Sequence, residues 1–127
     1  MLLFKEESYA IIGICLKVHK KLGVGFLESV YQEVIEKEFL KKKIPYQKQK
    51  RLQLYYDGTP LQKHFIADFV CYDKIIIEIK SVVSLQEGAT KQTVNHLKAT
   101  NFKLGLLINF GESRLNLKRI INTAITI

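Results

Sequence analysis

The sequence predicts one α/β domain with a mixed central β-sheet flanked by helices. Apolar residues recur at helical spacing through the first third of the chain, and from Tyr46 their period changes to two. A later helical segment then lies between two strongly apolar runs, which read as strands. The predicted order is α-α-β-β-β-α-β followed by a tail, an arrangement compatible with α/β and α+β layers around a mixed sheet.

Two helices are predicted at the N-terminal end. The first covers about residues 7–22, where Lys20 and Lys21 crowd the last turn and Gly23 provides a C-terminal stop. The second covers about residues 27–42, with Pro45 just beyond it. Its apolar stripe consists of Leu27, Val30, Tyr31, Val34, Ile35 and Phe39.

Three strands follow the helices. Residues 47–56 form the first, and Asp57-Gly58 is a hairpin turn signal. Residues 65–71 and 74–80 form the second and third, joined at Tyr72-Asp73-Lys74. The pattern thus predicts that the second and third strands are neighbours in the sheet.

The remaining elements are a helix, a strand and an ambiguous tail. The helix covers about residues 84–101, and an apolar strand covers residues 104–109. Residues 114–127 fit either a strand followed by a short helix or one helix.

Composition indicates an ordinary globular protein with a basic surface. The chain has 127 residues, 47% hydrophobic and 25% charged, which predicts one domain over residues 1–127. No apolar run reaches the roughly 20 residues that a membrane span requires, and no signal peptide is seen, so we expect a cytoplasmic protein. The net charge of +8 favours nucleic acid as a partner, although an inert lysine-rich surface is equally compatible with it.

Charged residues interrupt strands that otherwise look built for burial. Asp68 follows Ile66-Ala67, and Glu78 and Lys80 alternate with the β-branched run of residues 75–79. An ionised side chain in such a strand is costly unless it meets an opposite charge or a metal. An ion cluster that merely holds the sheet is the alternative, and we disfavour it because burying such a cluster usually adds no stability over apolar packing.

The loop length predicts how these charges meet. If Tyr72-Asp73-Lys74 is a three-residue loop, Asp68 lies opposite Glu78, with Cβ atoms about 4.5–5.5 Å apart. Because strand side chains alternate, Lys80 shares the face of Glu78. Two carboxylates at that separation are tolerable when a divalent cation lies between them. The sequence therefore predicts a metal site on this hairpin.

The order of these residues resembles the PD-(D/E)XK nuclease superfamily. The resemblance rests on Asp68, then Glu78-Ile79-Lys80 on the next strand, then a helix with Gln92; Ala67 replaces the usual proline before the aspartate. Residues 25–31, with Gly25, Glu28 and Tyr31, resemble the motif of the GxxExxY branch. The resemblance continues through residues 97–100 and 104–110 and spans roughly residues 18–121.

The resemblance implies a restriction-endonuclease-like core and a metal-dependent site for phosphodiester cleavage. Asp68, Glu78 and the backbone carbonyl of Ile79 would bind Mg²⁺, with Mn²⁺ as a substitute, since hard oxygen ligands suit these ions. Lys80 would orient or deprotonate the attacking water and offset charge in the transition state.

The resemblance also implies accessory roles that the residues alone leave open. Glu28 would bind the metal directly or through water, but a carboxylate that interacts with the helix dipole fits its position equally well. Tyr31 supports Glu28 or packs in the core. Gln92 would hydrogen-bond the water or Lys80, or it is an ordinary exposed residue. His96, one turn further, is expected on the surface.

The expected function is a metal-dependent nuclease that acts on nucleic acid, with DNA favoured over RNA. At the level of fold, the chain is similar to dimeric junction resolvases, which makes branched or single-stranded DNA candidate substrates and leaves a homodimer open. The alternative is a module of the same fold that binds nucleic acid or protein without turnover, and a purely structural protein is a third option.

Overall fold

The computed structural model describes residues 2–123, which form one five-stranded sheet with helices on both faces. Among these residues, no helix is long and apolar enough to cross a membrane. The elements in chain order are α1 (Lys5–Leu22), α2 (Glu28–Lys42), β1 (Tyr46–Tyr56), β2 (Thr59–Cys71), β3 (Ile75–Lys80), α3 (Glu87–Thr100), β4 (Leu104–Asn109) and β5 (Asn116–Ile121).

The sheet is mixed, as predicted, and its strands lie in chain order from β1 to β5. Only β3 and β4 are parallel, with α3 as the connection between them, and the other neighbouring pairs are antiparallel. The predicted restriction-endonuclease-like α/β class is confirmed. The first part of the tail is a strand, which pairs from Leu104↔Ile121 to Asn109↔Asn116, and residues 124–127 lie outside the described part.

Each face of the sheet has its own apolar cluster because β3 and β4 are buried on both sides. The cluster beneath α1 and α2 includes Ile11, Ile35, Phe39, Phe69, Ile77 and Ile108. The cluster beneath α3 includes Leu52, Ala67, Val70, Ile76, Leu97 and Leu107. Side chains that alternate along β3 therefore enter different layers.

The β1–β2 hairpin is longer than the sequence pattern indicates. Its turn is at Asp57-Gly58, as predicted, and both residues have the positive φ (54° and 78°) that such a turn requires. However, β2 begins at Thr59 rather than near residue 65. Residues 59–64 are all exposed and therefore lack the apolar alternation by which a half-buried strand is recognised.

The β2–β3 loop has the three residues that the sequence predicts. Tyr72 and Asp73 both have φ of 56°, and the strands pair at Cys71↔Ile75, Val70↔Ile76 and Phe69↔Ile77. One step further along, this register sets Asp68 across from Glu78. The predicted register is therefore confirmed.

Candidate active site

The site lies where β2 and β3 stop pairing. The last ladder pair is Phe69↔Ile77, and beyond it the Asp68 carboxylate replaces the backbone as the partner of β3. Asp68 Oδ2 accepts a 2.7 Å hydrogen bond from the backbone N–H of Ile79. This bond satisfies a donor that the ladder leaves unpaired, and it fixes one carboxylate beside the strand that bears Glu78.

Glu78 is held half-buried in the middle of β3, and one of its oxygens has no partner. Its Oε1 atom is buried and forms no hydrogen bond. Burial, with the charges of Asp68 and Glu28 adding to it, raises the pKa of Glu78 to about 8. A buried carboxylate oxygen that lacks a donor is destabilising unless a cation binds it. This is the strongest sign of a ligand-binding function in the chain.

Four ionisable groups influence one another at this point. Burial raises the pKa of Asp68, and Glu28 acts in the same direction while Lys80 opposes it. The positive charge of Lys80 likewise lowers the pKa of Glu78 and so offsets part of the increase. Glu78 and Lys80 lie two and four residues after Ile76, whose side chain packs under α3, so the two charged side chains lie on that same face. The structure thus brings together Asp68, Glu78, Lys80 and, from α2, Glu28.

The donor set fits a hard divalent cation. Asp68 and Glu78 supply two carboxylates, one of them with a free buried oxygen, and Mg²⁺ typically takes one or two carboxylates and keeps several waters. Among residues 2–123, no group of three or more His, Cys, Asp or Glu side chains could hold a metal ion. Glu28, which is exposed at the first position of α2, is therefore an electrostatic neighbour of the two carboxylates in this structure.

The loop before α2 is anchored by Tyr31, whose ring and hydroxyl have separate roles. The buried ring stacks on Phe110 with a centroid distance of 4.7 Å. Its hydroxyl donates to the Gly23 carbonyl at 2.6 Å and accepts from the Phe26 N–H at 3.4 Å. Tyr31 therefore packs in the core, as one of the two predicted roles requires, and it also holds the loop that leads to Glu28; support of Glu28 itself stays a prediction.

Removal of the Tyr31 hydroxyl tests this anchoring. We expect Tyr31→Phe to lower the free energy of unfolding by about 1–2 kcal/mol, because the partly buried Gly23 carbonyl loses its donor while the ring stack remains. Urea denaturation measures the loss. Tyr9→Phe, on the exposed side of α1, is the matched control and should unfold like the wild type. Equal stability of Tyr31→Phe and the wild type would contradict the anchoring role.

The segment that follows Lys80 is clamped by Asn109, a residue to which the sequence analysis gives no role. Its side-chain amide is fully buried; Oδ1 accepts from the Val82 N–H and Nδ2 donates to the Val82 carbonyl, both at 2.9 Å. The Phe110 N–H adds a 2.8 Å bond to the Lys80 carbonyl. A polar residue in the fully buried strand β4 is the signal that could have indicated it, the same signal that indicated Glu78.

Two further contacts join this segment to its surroundings. Ser81 Oγ donates to the Phe26 carbonyl at 2.6 Å, which ties the end of β3 to the loop before α2. At Gly111, a Cβ atom would collide with the backbone of Val82. Only glycine allows this approach, so the backbone on the far side of Lys80 is fixed by packing as well as by hydrogen bonds.

His96 differs from its predicted surface position. Its ring is half-buried and stacks on Phe65 with a centroid distance of 3.7 Å, and its Nδ1 atom is buried without a partner. Burial, followed by the charge of Lys80, lowers the pKa of His96. The prediction failed because helix periodicity does not reveal that the long hairpin covers this part of α3. Gln92, one turn earlier, is exposed.

The fold and the site together define a class. A mixed five-stranded sheet flanked by helices, with two facing carboxylates and a lysine on neighbouring strands, is a restriction-endonuclease-like α/β fold. The family model of the PD-(D/E)XK nuclease superfamily matches residues 5–120, and the chain belongs to this superfamily. No significant match was found among curated proteins or among solved structures.

Membership carries general properties of the superfamily. Its members are generally nucleases, which are hydrolases that use divalent metal ions and act on nucleic acid. Asp68, Glu78 and Lys80 lie on neighbouring strands of the described sheet, and their role as the site of such an enzyme stays a prediction. Assignment to the GxxExxY branch remains a prediction, supported by the arrangement of Gly25, Glu28 and Tyr31.

Proposed function

We propose that this protein is a divalent-metal-dependent endonuclease that hydrolyses phosphodiester bonds in DNA. The observation that carries the proposal is the buried Oε1 atom of Glu78, which has no hydrogen-bond partner. It lies across from Asp68, whose carboxylate is held by the hydrogen bond from the Ile79 N–H. A protein that needed only a stable sheet would gain from an apolar residue at either position. The cost in stability is explained if the two carboxylates bind a cation.

The proposed metal ligands are Asp68, Glu78 and the backbone carbonyl of Ile79, with Mg²⁺ as the ion and Mn²⁺ as a substitute. When bound, the ion would polarise the scissile phosphate and lower the pKa of a coordinated water. Glu28 is the proposed acceptor of a hydrogen bond from water in the ion's outer shell. Its proximity to both carboxylates supports this role, because it raises the pKa of each.

Lys80 is the proposed catalytic residue that orients the attacking water and offsets the growing negative charge on the phosphate. The Asn109 clamp and the Phe110–Lys80 backbone bond fix the strand end from which its side chain extends. Gln92 is the proposed second contact to the water. Its side chain is exposed on α3.

DNA is the proposed substrate because the chain carries a net charge of +8 although its site is rich in carboxylates. A basic surface around an acidic centre attracts a polyanion, and the metal then bridges the acidic centre to a phosphate. Branched and single-stranded forms are proposed alongside duplex DNA.

The test is a cleavage assay on duplex, single-stranded and four-way-junction DNA with Mg²⁺ or Mn²⁺, and with EDTA as the metal-free control. We expect cleavage of at least one DNA form in the presence of metal and none in EDTA. Salt-sensitive DNA binding without cleavage in either metal would reject the proposed nuclease activity and favour a non-catalytic binding module of the same fold. Cleavage of RNA alone would correct the substrate.

A further inference from the structure

The β1–β2 hairpin forms a two-stranded arm, defined here as residues 47–67, and from residue 50 to residue 67 it extends beyond the rest of the sheet. Within this arm β2 pairs with β1 alone, because its pairing with β3 begins only at Phe69. Leu52 and Phe65 pack against the cluster under α3 and anchor the base of the arm. An isolated two-stranded ribbon is marginally stable in water, so this packing at its base holds the arm in place.

The arm is basic on its free surfaces. It carries four cations, Lys48, Lys50, Arg51 and Lys63, against the single carboxylate of Asp57. Lys48 pairs with Glu36 of α2 at 3.3 Å. Within the described residues, no carboxylate lies within ion-pair distance of the other three cations.

The face of the arm that points away from α3 is unusual for an exposed ribbon. The register pairs Arg51 with Ile66 and Gln53 with His64, so these four side chains share that face, and all four are exposed. Ile66 is 48% exposed, and Tyr56 beside the turn is 74% exposed. Apolar and aromatic surface with basic residues between is typical of nucleic-acid contact.

Charge decides between two occupants of this surface. A second copy of the chain would bring an equal surplus of three positive charges against the arm, and like charges oppose such docking. A polyanion complements the same surface. A two-stranded ribbon also has the dimensions that the major groove of B-DNA admits.

We propose that the β1–β2 arm is a duplex-binding element, which holds the DNA that flanks the cleaved bond by phosphate contacts from Lys50, Arg51 and Lys63. This inference rests on the proposed function for the identity of the polymer. The arm leads directly into the site, since its last residue, Ala67, precedes Asp68. Asp68 lies ten positions after Gly58 at the turn, a reach of about 30 Å, or roughly one turn of the duplex.

The experiment measures binding without catalysis. Wild type and the triple variant Lys50→Gln, Arg51→Gln, Lys63→Gln are titrated onto a fluorescent duplex of about 25 base pairs in EDTA, over a range of salt concentrations. We expect the triple variant to bind about tenfold or more weakly near 100 mM salt. We also expect its slope of log K against log salt to fall by about 2–3, since each phosphate contact contributes about 0.9.

The matched control removes the same charge from the helices. Lys5→Gln, Lys37→Gln, Lys42→Gln changes three exposed lysines on α1 and α2 and should retain the wild-type slope. Equal losses in both triple variants would show that only net charge matters, which overturns the proposal. Wild-type binding by the arm variant would overturn it as well.

The competing occupant of the arm is a second copy of the chain. Sedimentation tests it by comparing the oligomeric state of the wild type with that of a variant in which Asn-Gly replaces residues 53–64. Loss of a dimer in this variant, with DNA binding unchanged, would make the arm a self-association surface and overturn the proposal. Failure of the arm is distinguishable from failure of the nuclease, because binding is measured in EDTA and cleavage with metal. If the wild type bound a single-stranded probe as tightly as the duplex, and the arm variant lost the same affinity for both, the proposed preference for duplex DNA would be rejected.

Discussion

Lys80→Met is expected to reduce cleavage by about 10²–10³-fold while DNA binding in EDTA remains within about threefold of the wild type. The methylene stem is retained, so packing against the sheet is preserved, and only the charged group that faces Glu78 is lost. Single-turnover cleavage at saturating enzyme gives the chemical step, and anisotropy gives binding. Lys118→Met, on the exposed side of β5, is the matched control.

Asp68→Asn extends the same prediction to the metal. An amide oxygen can still accept the Ile79 N–H, so the strand end should keep its structure, while one negative charge leaves the ion site. We expect a loss of cleavage similar to that of Lys80→Met, in part recovered at high Mn²⁺. Asp73→Asn in the β2–β3 loop is the control, since asparagine tolerates the positive φ at that position. Full activity in either site variant would reject this assignment of the site.

Glu78→Gln is expected to remove the metal-induced rise in melting temperature and, without metal, to melt above the wild type. The wild-type carboxylate has an ordinary pKa near 4.5 when unfolded and about 8 when folded. Between these values the folded chain holds a proton that the unfolded chain releases, so wild-type stability falls as the pH rises through this window. Glutamine does not ionise and avoids this loss.

The size of this effect depends on pH in a way that identifies its cause. At pH 8 in EDTA we expect Glu78→Gln to melt roughly 5–10 °C higher than the wild type, and the difference should vanish below about pH 4.5. Mg²⁺ at about 100 times its Kd should raise the wild-type melting temperature and leave the variant unchanged. Glu6→Gln, exposed on α1, is the control. A lower melting temperature for Glu78→Gln across the whole pH range would show that the carboxylate stabilises the sheet.

The site could be predicted from the sequence to the extent that it depends on local pattern. Asp68, Glu78 and Lys80 interrupt apolar strands, and their cost in burial is visible without any coordinates. The three-residue loop fixed the register because each residue added to a hairpin loop shifts every pairing that follows it. These two facts predicted which carboxylates face each other.

Contacts between distant segments could not be predicted in this way. Tyr31 and Ser81 reach the loop before α2 from a helix and from the end of β3, and no local period encodes either contact. His96 was expected on the surface because its partner, Phe65, comes from a strand that extends beyond its apolar segment. Asn109 lies in residues 104–110, which resemble the family, but its partner, Val82, is 27 residues away in the chain.

The sequence by itself determined the layers, the order of the elements and the three ionisable groups of the central hairpin, because alternation, loop length and the cost of buried charge act between near neighbours. Only the tertiary structure decided where Glu28 lies, what holds the strand end at Lys80, and how far the β1–β2 arm extends from the sheet. Those features depend on backbone and side chains that meet across long stretches of chain, where packing and hydrogen bonding, rather than local propensity, select the arrangement.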